Sequence, residues 1–309
     1  MELFHNVPHI HFMDMRKWTG SLSIIIVLLS LFFLVTKGLN FGLDFTGGTQ
    51  LELRYSQPVH FEDVHQVLEK NDFSQAKVTQ YGSSRDILVK IANKPGVSEA
   101  ELGQQVMTVL RSQDPQVELR RIEFVGSEVG EKLAEQGGLA VLVALLATLF
   151  YIAMRFEYRF GVSATVALMH DPILILGIFS FFQVEFDLAT LAALLAVIGY
   201  SLNDTIVVFD RVRENFRKIR KGTSQEIMDL SINQTLSRTI MTSVLTLLVV
   251  LALYFFGGES LHGFSLALII GIVVGTYSSI FVAGALALMM GLSRADLAPS
   301  SQKVVDDRP

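Results

Sequence analysis

Two ionisable side chains, Asp204 and Arg238, interrupt stretches of sequence that are otherwise suited to a lipid bilayer. A charged residue at the centre of a spanning helix costs about 2.5 to 3.5 kcal/mol on insertion scales, so such residues are usually paired or functional. A buried aspartate there is protonated or paired with a cation, and a moving arginine would change how firmly it holds a proton. We therefore predict a proton-transfer site. The alternatives are a static ion pair that fixes helix packing and an Arg238 side chain that extends to the interface.

Further polar residues accompany this pair. Asn203 directly precedes Asp204, and Thr242 and Ser243 follow Arg238 by about one helical turn, which favours a shared polar surface. We expect these three residues to support the ionisable pair inside the membrane.

A third acidic residue, Asp171, lies midway along another apolar segment, between His170 and Pro172. It is predicted to give intramembrane polar support. Alternatively, it is a buried group that is hydrogen-bonded to the backbone freed by the proline. Intramembrane aspartyl proteases also place two aspartates on adjacent helices, but the sequence before Asp204 is SLN, not the GxG that precedes their second aspartate.

A glycine-rich motif, FGLDFTGGT, occupies residues 41–49. Glycine permits tight turns and positive φ, so Gly42, Asp44, Gly47 and Gly48 are predicted to form a structured hinge between the first apolar segment and the domain that follows. Catalysis by Asp44 alone is not expected, because no partner base or metal cluster lies nearby in sequence.

Composition places these residues in a membrane protein. Of 309 residues, 50% are hydrophobic and 18% are charged, whereas soluble domains carry about 25% charged residues and disordered chains are poor in hydrophobic residues. Six segments are apolar and near the length that a spanning helix needs: 19–36, 138–154, 162–182, 188–209, 238–256 and 263–290.

In the last of these segments, Gly271, Gly275 and Ser279 are spaced for close helix packing.

Lysine and arginine residues predict the orientation, because basic flanks stay in the cytoplasm. Arg16 and Lys17 precede the first segment, basic residues follow the second and fourth, and the loops after the third and fifth contain none. We therefore expect the 1–18 and 291–309 ends to be cytoplasmic and residues 37–137 to form a domain on the opposite side. The first segment is expected to remain as a helix, since its flank does not resemble a cleavable signal peptide.

The basic stretch 210–237 is predicted to be an amphipathic loop at the cytoplasmic interface, with Gly222 dividing it and Thr223 or Ser224 capping a helix. It is interpreted as an orientation anchor, with a partner contact as the alternative.

The 37–137 domain alternates between strand-like and helix-like patterns. Strands are predicted at 49–55, 76–81, 86–91 and 116–125, with a turn at 82–84. Helices are predicted at 59–69 and from Ser98, which has Glu101 three residues later as in a capping box. The order βαββαβ indicates an α+β ferredoxin-like sandwich.

Several functions are disfavoured. The chain has no cysteine, so disulfides and thiolate metal sites are excluded. It lacks the P-loop and HExxH motifs, and its net charge of −5 disfavours nucleic-acid binding. We expect no enzymatic activity, no metal and no cofactor other than the proton as coupling ion.

Three stretches, FGLDFTGGT (41–49), RIEFVGSEVGEKLA (121–134) and GYSLNDTIVVFDRVRENFRKIRKG (199–222), resemble the signatures of the bacterial SecF family. The likeness covers nearly the whole chain, including the six-segment layout and the extramembrane domain. It implies half of the twelve-helix bundle of the resistance-nodulation-division (RND) superfamily, with SecD supplying the other half.

The resemblance also implies a function. SecF and SecD lie in the bacterial inner membrane and use proton flow to assist export of unfolded polypeptides through SecYEG, with YajC and YidC as further partners. Residues that match Asp204 and Arg238 are implicated in proton transfer in that family. The rival hypotheses are half of a proton-driven RND-type exporter of a solute or lipid, and a passive assembly scaffold.

Overall fold

The computed structural model describes residues 8–81, 83–94 and 96–293. In chain order the elements are α1 (Arg16–Thr36), β1 (Asn40–Phe41), α2 (Leu43–Thr46), β2 (Gly48–Arg54), α3 (Phe61–Glu69), β3 (Lys77–Tyr81), β4 (Ser83–Ile91), α4 (Glu99–Gln113), β5 (Glu118–Val125), α5 (Ser127–Arg155), α6 (Tyr158–Phe182), β6 (Glu185–Phe186), α7 (Leu188–Lys218), α8 (Ser224–Phe256), α9 (His262–Ser278) and α10 (Gly284–Met289). Short 3-10 turns, Phe12–Met15 and Glu259–Leu261, precede α1 and α9, and a π-helical segment, Ser279–Ala283, joins α9 to α10.

Within the described ranges, six helices are long and apolar enough to cross a membrane, which confirms the predicted polytopic helical fold. They are α1 with its preceding turn, α5, α6, α7, α8 and the combined helix α9–α10. Three of them form the centre of the bundle: 56% of the most apolar window of α6 is buried, compared with 11% for α1 and for α5. Side chains that could take part in proton transfer are therefore expected on α6, α7 and α9–α10 or at their borders.

Close packing of α9 against α7 depends on small residues. A Cβ atom at Gly271 would overlap Val197, and one at Gly275 would lie 3.0 Å from the Cβ of Ser201. A side chain at Gly271 would force the two helices apart, and one at Gly275 would need the helix contact to shift, so the close-packing role predicted for the small residues of this helix is confirmed at these two positions.

The extramembrane domain (residues 48–125) is a four-stranded antiparallel sheet in the order β3-β4-β2-β5, with the chain order βαββαβ. Alternate residues of the strands, including Leu51, Leu53 and Val89, pack against residues of α3 and α4 such as Leu68 and Leu110. The helix α4 begins at Ser98, whose Oγ accepts a hydrogen bond from the N–H of Glu101. This is the predicted ferredoxin-like sandwich. Of the predicted turn, Gly82 lies outside the described residues and Ser83–Ser84 belong to β4.

The domain is shorter than the predicted range 37–137. The helix α5 already begins at Ser127, about three turns before the apolar segment starts. Glu128 and Lys132 form an (i, i+4) ion pair on its exposed first turns. The domain end predicted at residue 137 was based on where the apolar residues begin. Polar residues can also be helical, so α5 starts before its apolar part.

The basic stretch 210–237 is not a loop. The helix α7 continues to Lys218 and α8 begins at Ser224, so only five residues separate them. Of the two predicted caps, Thr223 is the one that begins α8, and it does so through a capping box with Glu226. Asn215 of α7 donates hydrogen bonds to Ser231 and Gln234 of α8. Polar contacts of this kind keep both helices paired beyond the apolar segments, which hydropathy alone does not reveal.

The described N-terminal residues also pack against α8. The N–H of Met13 donates to Asp229 at 2.9 Å, and Asn233 exchanges two hydrogen bonds with the backbone of Ile10. Met13 is fully buried. Residues 1–7 and the tail from residue 294 lie outside the described residues.

Candidate functional site

Asp204 lies in the middle of the 31-residue helix α7 and is 3% exposed. Its Oδ2 atom is buried and makes no hydrogen bond to any described residue. A buried carboxylate oxygen without a donor is costly, and more so within a membrane. Asp204 is thus a carboxyl group for which binding a proton, or gaining a cationic partner, would be favourable.

Arg238 lies on α8 and is exposed at the surface of this chain. It is near enough for its charge to act on the Asp204 carboxyl, but in the described part of the chain the two form no ion pair within 4.0 Å. The static ion pair considered from the sequence is therefore not formed here. The arrangement therefore leaves the cation near the carboxyl but outside ion-pair distance.

Of the three residues predicted to support this pair, Ser243 is the one that bonds side chains of two other helices. Its Oγ accepts a hydrogen bond from the Tyr200 hydroxyl of α7 at 3.0 Å and lies 2.8 Å from Thr276 Oγ1 of α9. Thr242 instead bonds backbone carbonyls of its own helix, and Asn203 is exposed. Tyr200 and Thr276 were not singled out from the sequence, although Tyr200 lies in the same motif as Asp204.

Asp171 is 1% exposed on α6 and joins three helices. Its Oδ2 accepts hydrogen bonds from Ser201 of α7 and Ser278 of α9, the latter at 2.9 Å. Its Oδ1 lies 2.9 Å from Nδ1 of His170. The described contacts of this carboxylate are thus to side chains, not to the backbone freed by Pro172. Ser201 and Ser278 could not be paired with Asp171 from sequence spacing, because they lie on different helices.

The two aspartates do not form a protease-like dyad. The Asp171 carboxylate is occupied by two serine hydroxyls and His170, and among the described side chains no hydrogen bond joins it to Asp204. An aspartyl protease needs two carboxyls that share a proton.

The glycine motif forms a packed joint. Its strand β1 pairs in parallel with β6, and the N–H of Gly42 donates to the carbonyl of Phe186 at 2.9 Å. The carboxylate of Asp44 accepts a hydrogen bond from the N–H of Leu188, the first residue of α7, at 2.9 Å. The motif thereby attaches the end of α1 to the start of α7.

Two glycines complete this joint. Gly47 and Gly48 have φ of +66° and +131°, which side chains disfavour. A Cβ at Gly47 would lie 3.0 Å from the Cα of Ser127 at the start of α5, and one at Gly48 would meet the Ile91 carbonyl of β4. The motif therefore touches α5, α7 and the extramembrane sheet at once. An ion pair between Lys90 and Glu185 adds a further link between sheet and bundle.

No group of three or more His, Asp or Glu side chains in the described ranges is arranged to hold a metal ion. The expectation that the proton is the only coupling species stays a prediction.

Comparisons with known proteins give a consistent result. Residues 105–293 match the family described as "Protein export membrane protein SecD/SecF, C-terminal", and residues 32–59 match the "SecD/SecF GG Motif". The protein translocase subunit SecF of Vibrio alginolyticus is 52% identical over 291 residues, which cover 94% of this chain and 92% of the relative. That of Pseudomonas aeruginosa is 48% identical over 303 residues, covering 97% and 98%.

Among solved structures, the chain resembles SecDF, described as a translocon-associated membrane protein, from Thermus thermophilus, with a TM-score of 0.84 and 39% identity. It resembles SecDF in a super-membrane-facing form with a TM-score of 0.70 and 38% identity. In both comparisons 93% of this chain is covered, but the chain spans only 39% of the length of the SecDF chain.

Proposed function

Because the chain belongs to the SecD/SecF family of protein-export membrane proteins, we propose that it is the SecF-type subunit of an accessory Sec translocase driven by proton flow. The SecF relatives match it over more than nine-tenths of its length. The observation that carries the proton-driven part is the buried Asp204 carboxyl: one of its oxygens has no hydrogen-bonding partner among the described residues, and Arg238 lies nearby but outside ion-pair distance. In this proposal Asp204 carries the proton and Arg238 controls when it is released.

A second chain completes the bundle. Arg238 and Asn203 are exposed on the surface of the spanning helices, where contact with lipid would be costly. SecDF is a single longer chain, of which this chain matches 39%. We infer that a SecD-type chain covers this polar surface. Association with SecYEG, with unfolded polypeptides and with YajC and YidC belongs to the same proposal and rests on the family resemblance.

In this proposal the multi-pass chain lies in the bacterial inner membrane with both termini in the cytoplasm. The distribution of lysine and arginine supports this orientation. Arg155, Arg211 and Lys218 lie at the ends of α5 and α7 on the cytoplasmic side in this orientation, while the loop at 183–187 contains no basic residue. The extramembrane domain is then periplasmic, where it would meet a chain leaving the channel.

The helix α7 gives a route from the proton site to this domain. It is unbroken from Leu188 to Lys218, so Asp204 lies about 24 Å along the axis from the helix start. Because the start of α7 is hydrogen-bonded to Asp44, a shift of α7 upon protonation of Asp204 would move the joint that carries the extramembrane sheet. The chain would make and break no covalent bond, in keeping with relatives that are named translocase subunits.

The test is protein export in cells whose only copy is Asp204→Asn. We expect export of a precursor protein to fall at least tenfold, while the variant still co-purifies with its SecD-type partner. Asp210→Asn is the matched control, since Asp210 lies on the same helix in an exposed ion pair with Arg155, and it should export normally. Normal export by Asp204→Asn would refute the proton role and favour the scaffold, whereas loss of dye or lipid efflux with intact export would favour the solute exporter.

A further inference from the structure

The position of Asp204 depends on what holds α7, because its Oδ2 has no hydrogen-bonding partner among the described residues. Two side-chain hydrogen bonds tie the middle of this helix to its neighbours. Tyr200 bonds Ser243 of α8, and Ser201 bonds Asp171 of α6. Ser201 precedes Asp204 by three residues and therefore lies close to its face of the helix.

The Ser201 contact belongs to a fully buried group. Asp171, Ser201 and Ser278 are each no more than 1% exposed. One carboxylate oxygen accepts from both hydroxyls, so α6, α7 and α9 meet at a single atom. Water is not present in the bilayer core to replace these two hydrogen bonds.

Two features of α9 support the same site. Gly275 allows α9 to approach so closely that its Cβ position is 3.0 Å from Ser201. The π-helical segment begins at Ser279, directly after the Ser278 donor. Single π-helical turns occur often at functional sites, and this one adjoins the residue that reaches Asp171.

We propose that Asp171 is a positioning residue for the proton site: through Ser201 it fixes the rotation of α7 that keeps Asp204 buried beside Arg238. This inference rests on the proposed function for its consequence on export, but the geometry of Asp204 that it concerns can be measured independently. His170 holds the other carboxylate oxygen of Asp171, so both oxygens of the positioning residue are themselves fixed.

The experiment measures the accessibility of Asp204 in membranes that contain the whole complex. Dicyclohexylcarbodiimide reacts with protonated carboxyls in apolar surroundings, and mass spectrometry of the peptide that contains Asp204 gives its labelling rate, with Asp204→Asn as the blank. In Asp171→Asn and in Ser201→Ala we expect this rate to rise about two- to tenfold, the change that the loss of one hydrogen bond produces. Export should fall in the same variants.

Ser265→Ala is the matched control. Ser265 is fully buried on α9 but bonds the carbonyls of Leu261 and His262 at the start of the same helix, so the loss of its hydroxyl should leave Asp204 labelling unchanged. If the Asp171→Asn chain fails to assemble into the complex, the labelling rate is compared in Ser201→Ala instead, because that substitution removes only one hydroxyl.

Unchanged labelling in Ser201→Ala, or an equal rise in Ser265→Ala, would overturn the positioning role. Normal export by Asp204→Asn would instead overturn the proposed function, and the labelling comparison would still decide whether Asp171 positions α7.

Discussion

The carboxylate of Asp44 accepts a hydrogen bond from the N–H of Leu188 at 2.9 Å, across 144 positions of the chain. Leu188 is the first residue of α7, whose own N-cap, Asp187, bonds the N–H of Thr190. Two carboxylates thus serve the start of the helix that carries Asp204, where the helix dipole favours negative charge. This contact joins the glycine motif to the proposed proton site.

Asp44→Ala should loosen the start of α7. Loss of a capping interaction costs about 0.5 to 2 kcal/mol, so amide hydrogen exchange at Leu188 should accelerate and export should fall although Asp204 is intact. The control is Asp63→Ala, since Asp63 also lies in the first turn of a helix, α3, which packs against β3 and α4 of the extramembrane domain. Protection of Leu188 equal to that of the unmodified protein would argue against a coupling role for Asp44.

Gly48→Ala should disrupt the joint itself. Gly48 has φ of +131° and its Cβ position would meet the Ile91 carbonyl, and a non-glycine residue in such a conformation costs about 1 to 3 kcal/mol before any clash. We expect a lower melting temperature of the purified chain and poor recovery of the complex. Gly138→Ala is the comparison, because nothing lies within 4 Å of its Cβ position in α5; equal melting temperatures of the two variants would contradict the packing argument.

The sequence was sufficient for the parts of the structure that depend on local pattern. Hydropathy identified six spans, and alternation with capping residues identified the βαββαβ domain. The sequence was insufficient where contacts between distant residues determine the structure. One example is the continuation of α7 into the basic stretch, which the hydrogen bonds of Asn215 to α8 stabilise.

The candidate site shows the same division. Asp204, Arg238 and Asp171 are recognisable from the sequence, because charged residues in apolar segments are rare. That Ser201 and Ser278 converge on Asp171 depends on how three helices pack, and serines occur too often in spanning helices for any one to be chosen.

Asp86 should make the stability of the extramembrane domain depend on pH in the acidic range. The Arg54 guanidinium, with help from the Ser83 hydroxyl, lowers the pKa of Asp86 from 3.8 to about 2. A depressed carboxyl pKa stabilises the folded state above the unfolded pKa, and this contribution is lost as the pH falls from about 4 to 2. The protection factors of the β2 and β4 amides, which correct for the intrinsic pH dependence of hydrogen exchange, should therefore fall over that range in the unmodified protein and less so in Asp86→Asn. A steeper fall of the protection factors in the variant would contradict this sign.

Asn233→Ala should release the N-terminal segment from α8. Asn233 both donates to the carbonyl and accepts from the N–H of Ile10, and unsatisfied backbone groups cost about 1 to 3 kcal/mol when buried. Trypsin should then cut faster at Arg16 and Lys17 in detergent-solubilised protein. Asn71→Ala, in the exposed loop after α3, is the control and should leave that rate unchanged.

Asp204 and Arg238 should behave as one unit. When two residues act in the same step, the free-energy effects of substituting them do not add, whereas the effects of substitutions at independent sites add within about 0.5 kcal/mol. Export by the double variant Asp204→Asn/Arg238→Leu should therefore be no lower than export by Asp204→Asn alone, and Arg238→Leu alone should resemble Asp204→Asn with the complex still assembled. Because the two form no ion pair in this structure, a purely structural role predicts the reverse pattern: little loss from either single substitution, and any loss accompanied by failure to co-purify with the partner. Measuring export and co-purification for the two single variants and the double variant separates a transient proton-coupled contact from a packing interaction.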